Sequence, residues 1–225
     1  VLITGASDGI GRAIVQALVK QGGFTLLLVA RRVELLQELA VEIQKGGGKA
    51  VAFPSDVTHF LQVNELARQV KDGFRRLDLL INAAGTFKWD NDPLLDDEPG
   101  FLEQVNFRAK KMMIEAFRDM LVQSRGTIVN IGSWVGDSEN PEVKKLNLSE
   151  QSAYVTSMRK LHQWHQRHQS EFQVAGIKIL LMEPGLVATE MAKREFANMP
   201  IDWSKVPTPD EFAKSVLLEI KNPFA

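Results

Sequence analysis

The chain has 225 residues and a formal net charge of −1, so it is long enough for one domain with a substantial core and has no basic excess to attract nucleic acid or an anionic membrane. It contains no cysteine, which excludes disulfides and thiolate metal sites and predicts a reducing compartment, the cytoplasm. Its apolar runs are too short to span a bilayer, and its first residues predict no signal peptide.

Apolar runs alternate with helical patterns along the whole chain. The predicted strands cover residues 1–4, 24–30, 49–53, 77–82, 127–131 and 177–182. The predicted helices between them cover residues 9–21, 33–45, 60–74, 101–122, 152–172 and 209–220. Strands that are apolar throughout are covered on both faces, and alternating strands and helices form right-handed crossovers. The sequence therefore predicts one α/β domain over residues 1–225, a doubly wound parallel sheet with helices on both faces.

A glycine-rich turn follows the first predicted strand and reads Thr4-Gly5-Ala6-Ser7-Asp8-Gly9-Ile10-Gly11. Gly5 lets the chain turn sharply, Gly9 lets the backbone approach a phosphate, and Gly11 lets the next helix pack closely on the sheet. The N-terminus of that helix attracts the anion. The turn predicts a Rossmann-like dinucleotide site, with the pyrophosphate held by Gly5, Ser7, Gly9, Ile10 and Gly11. Its Gly-x-x-x-Gly-x-Gly spacing resembles the glycine motif of the short-chain dehydrogenase/reductase family.

The second predicted strand ends at Ala30, where dinucleotide folds place an acidic residue for the ribose 2′-hydroxyl of NAD. Arg31 follows, and a guanidinium binds a 2′-phosphate that a carboxylate would repel. The pair predicts NADP(H) as the cofactor. The alternative is that Arg31 and Arg32 are solvated residues at the start of a helix.

Two further strand ends carry segments for which the resemblance implies cofactor contacts. Asp56 would meet the adenine amino group, with Val57 packed on the ring; the alternative is that Asp56 or Thr58 simply caps the following helix. The segment Asn82-Ala83-Ala84-Gly85 is similar to the Asn-Asn-Ala-Gly motif of the family with its second Asn replaced. The resemblance implies that Asn82, Ala83 and Gly85 let the backbone run along the adenine ribose.

The resemblance also implies three catalytic residues. Ser133 follows the fifth strand and would stabilise the charge that develops on a substrate carbonyl oxygen. Tyr154, the only tyrosine in the sequence, would be the general acid in carbonyl reduction and the base in alcohol oxidation. Asn106 would hold a water of the proton relay.

The family places a lysine four residues after this tyrosine, where its ammonium lowers the tyrosine pKa and binds the nicotinamide ribose. Here that position is Met158, whose thioether carries no charge. Three explanations stay open: an engineered loss of the lysine, a relative that has lost activity, and a substitute cation. For the last, Lys144 and Lys145 are the candidates.

The predicted helix that carries Tyr154 has features relevant to metal binding and to the pairing of subunits. His162, His165 and His168 recur every third residue, but this spacing fans the outer rings about 120° apart and no carboxylate is interleaved, so no metal site is predicted. The outer face of this helix is unusually polar, and in the family this face commonly pairs subunits. A homo-oligomer therefore stays open.

A Pro-Gly turn similar to that of the family follows the sixth strand. The resemblance implies that Pro184, Gly185, Val187 and Thr189 line the nicotinamide, with the Val187 backbone and the Thr189 hydroxyl holding its carboxamide. The family fold adds one more strand after the last helix, so we expect that strand, and residues before the first strand, to be missing from this sequence.

These motifs together predict an oxidoreductase that transfers a hydride between NADP(H) and an alcohol or carbonyl substrate, with activity impaired by Met158. The alternative is an NADP(H)-binding sensor or partner protein with little catalysis. The sequence does not identify the substrate. Segments 136–150 and 191–206 are expected to shape its pocket, with Phe196, Met199 and Trp203 as an apolar wall.

Overall fold

The computed structural model describes residues 1–145 and 152–221. The strands are β1 (Leu2–Thr4), β2 (Thr25–Ala30), β3 (Lys49–Pro54), β4 (Leu79–Asn82), β5 (Thr127–Ile131) and β6 (Lys178–Met182). They form one parallel sheet in the order β3-β2-β1-β4-β5-β6. This order confirms the predicted doubly wound α/β fold.

The helices connect these strands on both faces of the sheet. They are α1 (Gly9–Gln21), α2 (Val33–Lys45), α3 (Phe60–Gly73), α4 (Pro93–Asp97), α5 (Phe101–Glu103), α6 (Ala109–Ser124), α7 (Pro141–Lys145), α8 (Ala153–Val174), α9 (Glu190–Glu195) and α10 (Pro209–Lys221). A π-helical turn over Gln104–Arg108 joins α5 to α6, so the long helix predicted over residues 101–122 is interrupted. Within the two described ranges, no helix is both long enough and apolar enough to cross a membrane.

The strands send alternate side chains into two hydrophobic cores. Leu2 and Leu80 reach the core closed by α3, α6 and α8, whereas Ile3 and Ile81 reach the core closed by α1, α2 and α10. Each fully buried side chain of this kind contributes about 1.5–3 kcal/mol. Because both of their faces are buried, the central strands β1, β2, β4 and β5 are largely apolar instead of alternating with polar residues.

The strand order reverses direction at β1, whose neighbours are β2 and β4. Ligands of such sheets bind in the crevice beyond the carboxyl ends of the strands at this reversal. Thr4 at the end of β1 pairs in register with Asn82 of β4, and Asn82 pairs with Asn130 of β5. The segments that follow these residues therefore meet at one edge of the sheet.

Candidate active site

The glycine turn after β1 has a backbone that side chains would obstruct. Gly5 and Gly9 have φ angles of +67° and +50°, in the left-handed region that favours glycine. A Cβ on Gly5 would lie 2.9 Å from the amide nitrogen of Ala84, and one on Gly11 would lie 2.2 Å from the carbonyl oxygen of Gly5. The backbone of Gly11 is therefore packed against the turn itself, whereas the sequence predicted that Gly11 lets the helix pack closely on the sheet.

Gly9 at the start of α1 faces Thr189 in the loop after β6 across a narrow groove, which these two residues define. A Cβ on Gly9 would enter this groove and lie 3.4 Å from Cγ2 of Thr189. Thr189 is buried and caps α9, where its hydroxyl oxygen accepts from the Ala192 amide at 3.1 Å. Asp8 caps α1 by accepting from the Gly9 amide at 2.7 Å. The residues present fit an extended dinucleotide, because the missing Cβ of Gly9 leaves room for a phosphate at the helix N-terminus.

Arg32, more than Arg31, reaches the glycine turn. Nη2 of Arg32 donates to Asp8 Oδ2 at 2.9 Å and to Ser7 Oγ at 3.3 Å. Burial raises the pKa of the Asp8 carboxyl, but the hydrogen bond and charge of Arg32 outweigh it and hold that pKa below its usual range. The Arg31 side chain is 68% exposed and its Nη1 lies 3.9 Å from Asp56 Oδ2. Two guanidinium groups therefore lie beside the end of β2, and the sequence had assigned a cofactor role to one of them.

Asp56 organises the turn before α3. Its Oδ1 accepts from the amide and the hydroxyl of Thr58 at 2.9 and 2.7 Å. Burial raises the pKa of Asp56, but the Thr58 hydrogen bonds and the charge of Arg31 outweigh this and lower it. The capping residue of α3 is His59, which makes no side-chain cap, so Asp56 acts in the turn and does not cap the helix. The neighbouring Val57 is buried.

Ser133 and Tyr154 come together from β5 and α8. Ser133 is buried just beyond the last residue of β5, and its side chain lies close enough to the Tyr154 phenol to affect the pKa of that group. Burial raises the pKa of Tyr154 above its usual value, and the Ser133 side chain opposes this in part. The phenol is therefore protonated at neutral pH and can act as a proton donor.

Asn106 lies in the π-helical turn and is fully buried. Its Nδ2 donates to the Thr86 carbonyl at 2.9 Å and to Ser157 Oγ at 3.2 Å, and its Oδ1 accepts from the Thr86 amide at 2.9 Å. Ser157 Oγ in turn donates to the Tyr154 carbonyl at 2.7 Å. The Asn106 side chain thus ties the segment after β4 to the turn of α8 that carries Tyr154. Single π-helical turns inside helices are frequent at functional sites.

Lys110 is a buried cation that the sequence motifs did not single out. It is 3% exposed, and its Nζ donates to the Ala84 carbonyl. Burial lowers its pKa to about 7. Lys110 lies on the buried stripe of α6 together with Ile114 and Phe117, so helical spacing alone could have found it.

The position at which the resemblance implies a lysine carries an apolar side chain. Met158 is buried on α8. A Cβ on Gly136 would lie 2.8 Å from the carbonyl oxygen of Met158, so the turn after β5 packs closely on this helix. Lys144 and Lys145 form ion pairs with Glu139 and Glu142 at 2.9 and 2.6 Å, and both lysines are more than half exposed. No contact of the described residues brings either lysine to Tyr154, so the structure does not support the explanation by a substitute cation at these two positions.

The three histidines of α8 have separate surroundings. His162 lies 2.9 Å from Glu183 Oε2, and the His168 ring stacks on that of Trp164 at 4.9 Å between centroids. Burial, and secondarily the neighbouring His162, lower the pKa of His165. Across residues 1–145 and 152–221, no group of three His, Cys, Asp or Glu side chains could hold a metal ion.

An aromatic wall, formed by Phe87, Trp89 and Phe196, stands beside Tyr154. The Phe87 ring lies 4.7 Å from that of Tyr154 and 5.2 Å from that of Phe196, between centroids. Phe196 belongs to the predicted pocket, whereas Phe87 and Trp89 follow β4 and were not predicted. Met199 is 45% exposed and contributes little apolar cover. Residues 146–150 of the other predicted pocket segment lie outside the described residues.

Three comparisons with known proteins agree on one family. Residues 1–200 match the short chain dehydrogenase family. An uncharacterized oxidoreductase of Staphylococcus aureus is 30% identical over 226 residues, which cover 99% of this chain and 90% of that protein. A short chain dehydrogenase of Pseudocercospora fijiensis is 28% identical over 197 residues, which cover 84% of this chain and 60% of that longer protein.

A solved structure extends the likeness to the fold. A short-chain dehydrogenase from Sphingobium yanoikuyae in complex with NADPH is 26% identical, with a TM-score of 0.79 over 99% of this chain and 84% of that one. Because the family match covers most of the sequence and includes the glycine turn, Ser133 and Tyr154, this chain belongs to the short-chain dehydrogenase/reductase family.

Proposed function

We propose that this protein is an NADP(H)-dependent oxidoreductase that interconverts an alcohol and a carbonyl compound. Members of its family are NAD(P)-dependent oxidoreductases. The observation that carries the proposal is that Ser133 and Tyr154 lie side by side at the end of β5, beside the crevice of the sheet. A protonated phenol paired with a second hydroxyl is suited to give a proton to a carbonyl oxygen.

The glycine turn and the amino end of α1 would hold the pyrophosphate, and the loop from Pro184 to Thr189 would hold the nicotinamide. Arg31 and Arg32 would bind the 2′-phosphate, since no acid stands at Ala30 to repel it. The NADPH bound to the Sphingobium relative supports this choice. The bound cofactor would supply the hydride in reduction and accept it in oxidation.

In carbonyl reduction, Ser133 would donate a hydrogen bond to the substrate oxygen and Tyr154 would transfer its proton to that oxygen. The carbonyl carbon gains the hydride, the oxygen gains the proton, and the phenolate is reprotonated from solvent. In alcohol oxidation Tyr154 must first lose its proton. Because burial raises its pKa, reduction is favoured near neutral pH and oxidation needs an alkaline solution.

Two measurements on the same protein, the steady-state turnover and the affinity for NADPH, test this proposal. With NADPH and a panel of apolar aldehydes and ketones, chosen for the aromatic wall, we expect steady oxidation of NADPH. Tyr154→Phe removes the proton donor and keeps the ring, so it is expected to lower kcat by about 10²- to 10⁴-fold and leave the Kd for NADPH unchanged. Tight NADPH binding without turnover across the panel would instead support a cofactor-binding sensor, which the apolar Met158 favours.

Cofactor choice gives a second prediction. The double variant Ala30→Asp, Arg31→Ser is expected to weaken NADPH binding by about 10- to 150-fold and to improve NADH binding, because it adds a carboxylate that repels the 2′-phosphate and removes a charged contact worth about 1.5–3 kcal/mol. Fluorescence titration with both cofactors measures the change. Arg76→Ser, which alters an exposed arginine paired with Asp78, is the control. Equal affinity of the unaltered protein for NADPH and NADH would refute the assignment.

A further inference from the structure

The ammonium group of Lys110 lies beneath an exposed glycine at the carboxyl end of β4. Its Nζ donates to the Ala84 carbonyl, and a Cβ built on Gly85 would lie 4.0 Å from this Nζ and 3.4 Å from Asn106 Oδ1. Because Gly85 has no side chain, the space between the crevice and these two polar groups stays open. Lys110 is thus buried from solvent but close to a surface on which a ligand can lie.

The strand order places this surface between the glycine turn and the catalytic pair. The Ala84 amide donates to Thr4 Oγ1 at 3.1 Å, beside the turn, and Ser133 follows the next strand, β5. Arg31, which would face the adenine half, lies on the other side of β1. A dinucleotide with its pyrophosphate on Gly9 and its nicotinamide near Ser133 would therefore place its nicotinamide ribose over Gly85. The resemblance had implied the adenine ribose at this position instead.

Several charged side chains on the elements packed around Lys110 are engaged in ion pairs of their own. They pair with one another at the surface as follows: Glu103 with Arg108 and Lys160, and Arg68 with Glu65 and Asp72. The adjoining strand ends present the uncharged Asn82 and Asn130, and the ionisable group on the adjoining turn of α8 is Tyr154. Burial is accordingly the sole cause that lowers the pKa of Lys110.

We propose that Lys110 is a cofactor-linked proton site, whose ammonium form binds the nicotinamide ribose and supplies the positive charge that Met158 cannot. The inference rests on the proposed function. An uncompensated lysine in the interior is destabilising, and such groups concentrate at functional sites. A ribose hydroxyl would give the ammonium a second acceptor beside the Ala84 carbonyl, and the phosphates of the cofactor would favour the charged form.

Proton uptake during NADPH binding tests the proposal without using activity. In the free protein the pKa of Lys110 is about 7, so at pH 8 this side chain is neutral in most of the protein molecules. Binding should raise this pKa and take up on the order of half a proton per site, whereas a 2′-phosphate with a pKa of about 6 is already fully ionised and takes up none. Calorimetry in two buffers with different ionisation enthalpies measures the uptake.

Two variants of Lys110, with a variant of the neighbouring Lys111 as control, separate the effect of the charge from that of the hydrogen bond to the Ala84 carbonyl. Lys110→Gln can still donate to the Ala84 carbonyl but cannot titrate, and Lys110→Met does neither; both are expected to abolish the uptake and weaken NADPH binding several-fold. Lys111→Met, which alters the adjacent lysine near the Phe107 ring, should behave as the unaltered protein. Adding Met158→Lys to Lys110→Gln should restore NADPH affinity without restoring the uptake.

The outcomes are distinct. NADPH binding at pH 8 with no proton uptake by the unaltered protein, or with equal uptake by Lys110→Gln, would overturn the role of Lys110 and leave the proposed function standing. Failure of the unaltered protein to bind NADPH would overturn the proposed function and this inference with it.

Discussion

Gly9→Val is expected to lower the affinity for NADPH at least about a hundredfold while the fold survives. The valine side chain would fill the groove between α1 and Thr189, where the Cβ alone would lie 3.4 Å from Cγ2 of Thr189. It would also cover the amide groups at the start of α1, which a phosphate needs. A hundredfold loss corresponds to about 2.8 kcal/mol of binding free energy, which is modest for a displaced charged ligand. Fluorescence titration with NADPH measures the loss.

A second glycine of the same helix provides the matched control. Gly9 has φ +50°, so any side chain there strains the backbone by about 1–2 kcal/mol apart from its effect on the groove. Gly22 at the other end of α1 has φ +73° and no atom within 4 Å of an added Cβ. Gly22 also has ψ 176°, a combination that glycine almost alone adopts, so Gly22→Val strains the backbone at least as much without entering the groove. This variant should bind NADPH as the unaltered protein does. Equal losses in both variants, or tight binding by Gly9→Val, would show that the phosphates lie elsewhere.

The fold could be predicted from the sequence because its signals are local. Each central strand is a short apolar run buried on both faces, and each long helix shows one apolar stripe. The break in the helix around Asn106 escaped prediction, because a π-helical turn adds a single residue and changes the apolar period too little to show in a window of several turns. The five- and six-residue helices α4, α7 and α9 are too short to show a period at all.

The candidate site was predictable where a motif fixes both a residue and its strand end. Ser133 and Tyr154 were paired by resemblance, and the structure brings them into contact. The sequence assigned a cofactor role to Arg31 alone, but local turn geometry decides which of the two adjacent arginines meets Asp8, and it is Arg32. Lys110 was missed for a different reason. Its importance comes from burial, which a lysine in the sequence does not reveal unless its helical position is compared with the apolar stripe.

Lys110→Met is expected to make the protein without cofactor more stable at pH 6 and less stable at pH 10. The pKa of this lysine falls from 10.5 to about 7 on folding. Between these pH values the unfolded chain binds one more proton than the folded chain, so the stability of the unaltered protein rises with pH. The penalty for burying the charge is fully present below pH 7 and amounts to about 5 kcal/mol, at about 1.4 kcal/mol for each pH unit between the two pKa values.

Methionine keeps the length of the side chain, removes the charge and leaves the Ala84 carbonyl without its donor, which costs about 1–3 kcal/mol at every pH. The difference in free energy of unfolding between the two proteins should therefore change sign between pH 6 and pH 10, as measured by urea unfolding at both. Lys111→Met should show a difference that hardly depends on pH. Parallel curves for Lys110→Met and the unaltered protein would mean that Lys110 keeps its ordinary pKa in the fold. A change of sign would mean that the folded protein is less stable near neutral pH because of this lysine, as expected for a group that a bound anionic cofactor stabilises.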